Sequence, residues 1–210
     1  MAEMQQSIDD RLNYAIELGR TDASKAFVLF KQLAEEGSAW AMHLLARAYA
    51  YGMGITVDQG EAEKWYLRAY QVGSAHTKSI TSFYLGYLYL WRKEYDKAIE
   101  ILRSGVDLGY PPSGYLLAEY WRKGLGGNKQ LSQARELHEW AAAQGDIGSK
   151  YALVYLYLSG QFGIGQFFRG LSLYLRTIRE YRSYQQLKKN FHKLDNCEEY
   201  EFILRHQAVQ

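Results

Sequence analysis

Among the side chains able to hold a metal or to act as nucleophile or general base are five histidines, His43, His76, His138, His192 and His206, and one cysteine, Cys197. No two histidines stand at HxxxH or HExxH spacing, which would place a pair of imidazoles on one helix face, and a lone cysteine builds no zinc cluster. Cys197 has no neighbouring histidine in a recognisable catalytic motif and no evident thiolate-stabilising surroundings. Glycine clusters at Gly52 to Gly54, Gly124 to Gly127 and Gly163 to Gly165 could be mistaken for phosphate loops. They lie between helical segments rather than after a strand, and none has the GxxxxGKS/T or GxGxxG spacing. No catalytic group, metal or cofactor is expected.

Charge gives no stronger lead. With 210 residues, 48% hydrophobic and 23% charged, the chain can bury a sizeable core, and a net charge of +2 gives no general reason to expect nucleic acid or an acidic membrane as partner. Residues 176 to 193 do hold Arg176, Arg179, Arg182, Lys188, Lys189 and Lys193 against Glu180 alone. The tail behind them answers with Asp195, Glu198, Glu199 and Glu201, so a solvated capping face is the reading preferred to a nucleic-acid site. A single cysteine, an N-terminus without the plan of a secretory signal, and the lack of an uncharged apolar run near 20 residues together lead to the expectation of a cytoplasmic location.

What the sequence carries instead is a period. Glycine recurs every 36 residues at Gly37, Gly73, Gly109 and Gly145. At the same step run Ala26, Ala62, Ala98, Ala134 and then Gly170, and beside them Leu29, Trp65, Ile101, Leu137 and Leu173. Ala62, Trp65, Tyr66 and Ala69 fall at i, i+3, i+4 and i+7, one face of an amphipathic helix, and small residues at two of those positions let neighbouring backbones approach. The closing glycines suit a left-handed position after each of these B helices. His138 occupies the Tyr66 position, which predicts a packed histidine.

Between each closing glycine and the next B helix lies an A helix, marked by Leu45, Ala46, Tyr49 and Gly52, by Leu117, Ala118, Trp121 and Gly124, and by Leu153, Val154, Tyr157 and Gly160. Tyr49, Tyr89, Trp121 and Tyr157 are assigned to the core. In the second unit the equivalents Leu85, Gly86 and Tyr89 are displaced by four, which predicts an A helix one turn longer and a shorter loop before Tyr95. The expected organisation is one all-α domain over 1–210: an N-terminal helix pair at 1–36, repeats at 37–73, 74–109, 110–145 and 146–181, and a C-terminal cap at 182–210.

Residues 41 to 73 carry a resemblance to the Sel-one-like repeat family, relatives of the tetratricopeptide repeats. Ala41, Leu45, Ala46, Tyr49, Gly52, Gly54, Asp58, Ala62, Trp65, Tyr66, Ala69 and Gly73 fall where that family places its small, aromatic and turn residues. Tyr181 stands where the fourth unit would have its closing glycine. The resemblance implies a right-handed superhelical solenoid of about five antiparallel helix pairs, with the A helices on the concave side. It also implies an adaptor or scaffold that grips a partner protein or peptide; dedicated inhibitors (immunity proteins) that neutralise a cognate toxin or effector are the alternative.

Packing columns define the scaffold, so candidate binding residues are A-helix side chains that point away from the B helices. Positions two and six after Leu45 give Arg47 and Tyr51, and their equivalents are Tyr87 and Trp91, Glu119 and Lys123, and Tyr155 and Ser159. Tyr84, from the dense aromatic row between Phe83 and Trp91, joins them. The mixture of aromatic and charged residues suits protein recognition, with Tyr51 and Trp91 favoured by their place at helix ends.

Overall fold

The computed structural model describes residues 7 to 160 and 162 to 190, with side chains up to 179. Among the described residues all regular structure is helical. The helices are α1 (Ile8–Leu18), α2 (Ala23–Glu35), α3 (Ala39–Tyr51), α4 (Gln59–Val72), α5 (Ala75–Trp91), α6 (Tyr95–Asp107), α7 (Pro111–Lys123), α8 (Leu131–Ala143), α9 (Ile147–Leu158) and α10 (Ile164–Asn190). Two compact units divide within α9, Met1–Ser149 and Lys150–Gln210.

In the first unit the chain pairs α1 with α2, α3 with α4, α5 with α6 and α7 with α8, and each pair packs on the next. Local signals set the starts. Ser7, Asp22, Ser38, Asp58 and Ser74 each precede a helix, and each side chain accepts a hydrogen bond from the amide three residues on. Such a cap satisfies an amide that the helix cannot, and contributes about 1 kcal/mol. Pro111 and Pro112 open α7, where no intrahelical amide is needed.

The columns read from the sequence are helix contacts. Ala26, Ala62, Ala98 and Ala134 are all fully buried, and so are Leu33, Ala69 and Ala141 one turn or two further along. The third column behaves differently: Leu29, Trp65, Ile101 and Leu137 are half-buried in every unit, a flank of the packed stripe rather than its centre. In the second unit of the chain Gly170 replaces the alanine because α9 comes closer there. A Cβ on Gly170 would stand 2.7 Å from the Tyr157 Cβ, nearer than real contacts allow.

The longer second A helix is present. α5 has 17 residues where α3 and α7 have 13, and only Arg92 to Glu94 connect it to α6, against residues 52 to 58 and 124 to 130 elsewhere. Gly52 and Gly124 close their helices in the left-handed region, at φ 72° and 69°. After α5 that conformation falls on Lys93, at φ 62°, the one non-glycine residue among those described with a positive φ.

Four expectations need correction. Gly37, Gly109 and Gly145 are left-handed, but Gly73 is extended, at φ −71° and ψ 159°. Its glycine is required by space, since a Cβ would lie 2.6 Å from the Ala69 carbonyl oxygen and 2.9 Å from the Thr77 Cβ. Tyr89 and Tyr157 are buried, whereas Tyr49 and Trp121 are half-buried, near the outer ends of their helices. α10 does not stop at Tyr181: with no glycine to end it, it continues to Asn190. Residues 182 to 190 of the expected cap therefore belong to α10, while 191 to 210, with Cys197, His192 and His206, lie outside the described residues. On α10, Ile164, Phe168, Leu171 and Leu175 are exposed at i, i+4, i+7 and i+11.

Candidate partner-binding face

α5 packs against both α3 and α7, so the three A helices of the first unit lie side by side in that order. Arg47 and Tyr51, Tyr87 and Trp91, and Glu119 and Lys123 therefore lie on three adjoining helices. Arg47 and Tyr51 on α3 are half-buried. On α5, Tyr87 is half-buried, which pushes its phenol above the ordinary tyrosine value, and Trp91 is 59% exposed. Lys123 on α7 is exposed. Tyr155 on α9, in the other compact unit, is 61% exposed.

Two of the candidates are not surface groups. Tyr84 is only 5% exposed. It stacks on Tyr66 of α4 at 6.2 Å, meets the His43 ring edge-on at 5.1 Å, and lies under the Arg47 guanidinium at 5.1 Å. Glu119 is 8% exposed, and Arg122 grips it in bidentate fashion, with Nε and Nη2 each donating at 2.7 Å. His138 Nε2, on α8, stands 3.3 Å from the same carboxylate. Burial alone would raise the Glu119 carboxyl, but the hydrogen bonds from Arg122 and His138 outweigh it and bring the group down to about 2.

The two described histidines that are buried follow one plan with different endings. His138 Nδ1 is 3.2 Å from Ser149 Oγ, and its other nitrogen faces Glu119. His43 Nδ1 is 3.0 Å from Thr81 Oγ1, its ring stacks on Trp40 at 4.9 Å, and its Nε2 has no hydrogen-bond partner. Burial, followed by the positive charge of Arg47, depresses the His43 imidazole well below its ordinary value. The buried ring packs against Trp40, Tyr66 and Tyr84.

The short α5–α6 turn is held from a distance. Arg92 pairs with Glu63 of α4 through Nη1, donates from Nη2 to the Gln59 carbonyl oxygen at 2.6 Å and from Nε to Gln59 Oε1 at 3.3 Å. Tyr89 donates to Glu63 at 2.9 Å. Burial works to raise the Glu63 carboxyl; the hydrogen bonds from Arg92 and Tyr89 prevail and hold it below the usual carboxylate range. Trp91 is thus flanked by two residues anchored on α4 while its own ring faces water. The repeat columns could not reveal this clamp, because only the shortened unit has it. They also passed over Tyr14 on α1, 60% exposed, which follows buried Leu12 by two residues as Tyr87 follows Leu85.

Among the described residues no group of three or more His, Cys, Asp or Glu side chains could hold a metal ion, and no helix is long and apolar enough to cross a membrane.

Comparison with known proteins bears on the whole repeat array rather than on any one side chain. No family model matches the chain. It is 28% identical over 138 residues to a sel1-like repeat-containing protein of Acanthamoeba polyphaga mimivirus, covering 66% of this chain and 25% of that one. It is 30% identical over 177 residues to sel-1 homolog 2 of Mus musculus, covering 77% and 25%. The chain thus spans about a quarter of the length of these curated relatives. Among solved structures it resembles a protective antigen of uropathogenic Escherichia coli strains with an SLR fold, at TM-score 0.73 and 22% identity over 84% of this chain and 39% of that one. A Sel1 repeat protein from Oxalobacter formigenes gives TM-score 0.70 at 21% identity, covering 86% and 74%. Repeat proteins of this kind are in general protein-interaction modules. The helix pairs, their 36-residue columns and these likenesses agree, and the chain belongs to the Sel1-like repeat family.

Proposed function

We propose that this chain is a non-catalytic adaptor that binds a partner protein or peptide on the face made by its A helices, the concave side in a solenoid of this kind. The observation that carries the reading is Trp91. A tryptophan 59% exposed at the end of a helix whose neighbouring residues Tyr89 and Arg92 are both tied to Glu63 is a large apolar side chain on a braced support. Such residues are favoured anchors, because their contact area is gained with little loss of side-chain freedom. Tyr87 lies one turn before it on α5, and Tyr51 and Lys123 occupy the matching positions on the adjoining helices.

The scaffold itself argues for binding rather than reaction. Among the described residues the buried carboxylates and imidazoles, Glu119, Asp146, His138 and His43, are engaged in packing and hydrogen bonding.

The test is affinity capture from a lysate of the source cells with the native chain and with a variant in which Tyr87, Trp91 and Tyr155 are alanine. A partner recovered stoichiometrically with the native chain is expected to be lost by the variant while helicity and melting stay close to native. Retention of that partner would show that it binds elsewhere. Single variants at Trp91 and Tyr155 then apportion the loss, and Trp91→Ala is expected to cost the partner about 2 kcal/mol or more of affinity.

A further inference from the structure

The B-helix column that begins at Phe30 breaks at its last copy. Phe30, Tyr66, Leu102 and His138, at the 36-residue step, are 7%, 1%, 0% and 0% exposed, whereas Tyr174 on α10 is 40% exposed. The neighbouring column behaves alike: Phe27, Glu63, Ile99 and Arg135 are half-buried, and Leu171 is exposed. In the earlier units the A helix that follows supplies the cover, as Tyr84 of α5 does for Tyr66 at 6.2 Å and Ser149 of α9 for His138 at 3.2 Å. Those A helices begin at Ala39, Ala75, Pro111 and Ile147, so the same step makes the next one due at residue 183. Residues 183 to 190 instead lengthen α10, and among the described residues the face they would have covered is bare.

That face is apolar and self-complementary. Phe167, Leu171 and Tyr174 stand at i, i+4 and i+7 beside Ile164, Phe168 and Leu175, turned away from the buried Gly170 and Thr177. We propose that its occupant is the α10 of a second copy of this chain, packed antiparallel about a two-fold axis at Leu171. In that register Ile164 of one copy lies opposite Ile178 of the other, Phe167 opposite Leu175, and Phe168 opposite Tyr174. Every pair is apolar, as an isologous interface requires. A parallel pairing would set the basic stretches from Arg176 to Lys193 side by side, and the antiparallel one sends them to opposite ends. The exposed side chains amount to roughly 600 Å² per copy, or about 1,200 Å² for the pair, the lower end of what a specific dimer buries. Residues 191 to 210 make a poorer cover. Wholly helical after a turn of about three residues, they would span about 25 Å, short of Leu171 and Ile164, which lie about 28 Å and 39 Å back along α10 from Asn190.

Sedimentation velocity of the full chain, from about 1 to 100 μM, tests this. The expected result is a reversible equilibrium of monomer and dimer with a dissociation constant on the order of micromolar. Leu171→Glu, which brings two carboxylates together on the axis, should weaken the dimer about a hundredfold while the helicity of the chain is kept. Leu171→Lys should do the same, and mixing the two variants should restore a dimer, a rescue that misfolding of either could not produce. Orientation is read from single cysteines in a Cys197→Ser chain: under mild oxidation Ile164→Cys should crosslink to Ile178→Cys and neither to itself. Self-crosslinking of Ile164→Cys would overturn the antiparallel register, and a dimer indifferent to both Leu171 variants would overturn the α10 interface. A native chain still monomeric at about 100 μM would overturn the homodimer altogether. Lowered melting of its Leu171→Glu variant would then assign the cover to the chain's own residues 191 to 210.

Discussion

The second and third repeat units bury the same kind of pair, an arginine with a glutamate, but close it over different distances. In the third unit Glu119 and Arg122 are one helical turn apart on α7, and His138 completes the group from α8. In the second, Arg92 at the end of α5 reaches back to Glu63 on α4, 29 residues earlier. The third unit has a seven-residue connection from 124 to 130 with glycine in its left-handed position; the second has three residues and a strained lysine. Where the loop is long enough to close itself, the ion pair is local and serves the helix pair. Where the loop is lost, closure is delegated to the preceding repeat, and the aromatic at the junction is left outside.

The sharpest way to break this comparison is at Glu119. Glu119→Ala removes the carboxylate that Arg122 grips and that stands 3.3 Å from the inner nitrogen of His138, and is expected to cost about 3 kcal/mol in urea unfolding. The carboxylate also predicts a pH profile. Its folded value of about 2 lies below the ordinary 4.5, so its contribution is complete above about pH 4.5 and is lost as the pH falls toward 2. In Glu119→Gln that acid limb should flatten. His43 adds a separate limb of the same direction: its folded value is depressed below the ordinary 6.5, so the unfolded chain takes up a proton that the folded chain resists, and stability falls as the pH drops below about 6.5. A native chain as stable at pH 5 as at pH 7.5 would contradict the neutral, buried His43.

Arg92→Met should cost somewhat less, about 2 kcal/mol, because the group is partly solvated and Glu63 keeps the Tyr89 hydroxyl. The informative readout is elsewhere. If Arg92 braces Trp91, the variant should lose partner affinity through faster dissociation and show altered quenching of the Trp91 fluorescence by iodide. Loss of stability with both unchanged would make Arg92 only a staple between α4 and α5.

Much of this scaffold was legible in advance for a simple reason. Ala26, Ala62, Ala98 and Ala134 recur because helix backbones approach at those points in each unit, and a steric requirement repeated four times leaves four copies in the sequence. The longer α5 was legible for the same reason, as a displaced copy. Binding positions carry no such redundancy. Arg47, Tyr87, Glu119 and Tyr155 are equivalent by spacing, yet Tyr155 faces water and Glu119 does not, because only α7 has an arginine one turn on and a histidine opposite it. Both partners were visible: Arg122 at i+3, and His138 in the column that otherwise holds Tyr66 and Leu102. Read together they foretell a buried carboxylate. Tyr84 misled in another way, since five aromatics from Phe83 to Trp91 look like a surface until the ring of His43 is placed against one of them.

The smallest expected effect isolates the backbone of the two turns from their ion pairs. Lys93 at φ 62° adopts a conformation that costs a side-chain-bearing residue about 1 kcal/mol more than glycine, part of which is offset by the greater freedom of glycine in the unfolded chain. Lys93→Gly should therefore raise stability by roughly 0.5 kcal/mol, and Gly124→Ala, the reverse exchange at φ 69° in the third unit, should lower it by about 1 kcal/mol or more. The second loss should be the larger, because a Cβ on Gly124 also meets the Gly127 carbonyl oxygen and the Lys129 amide nitrogen at 3.1 Å. If Lys93→Gly instead destabilises, the short turn needs the lysine side chain itself, and the long-range clamp at Arg92 is not what holds it closed.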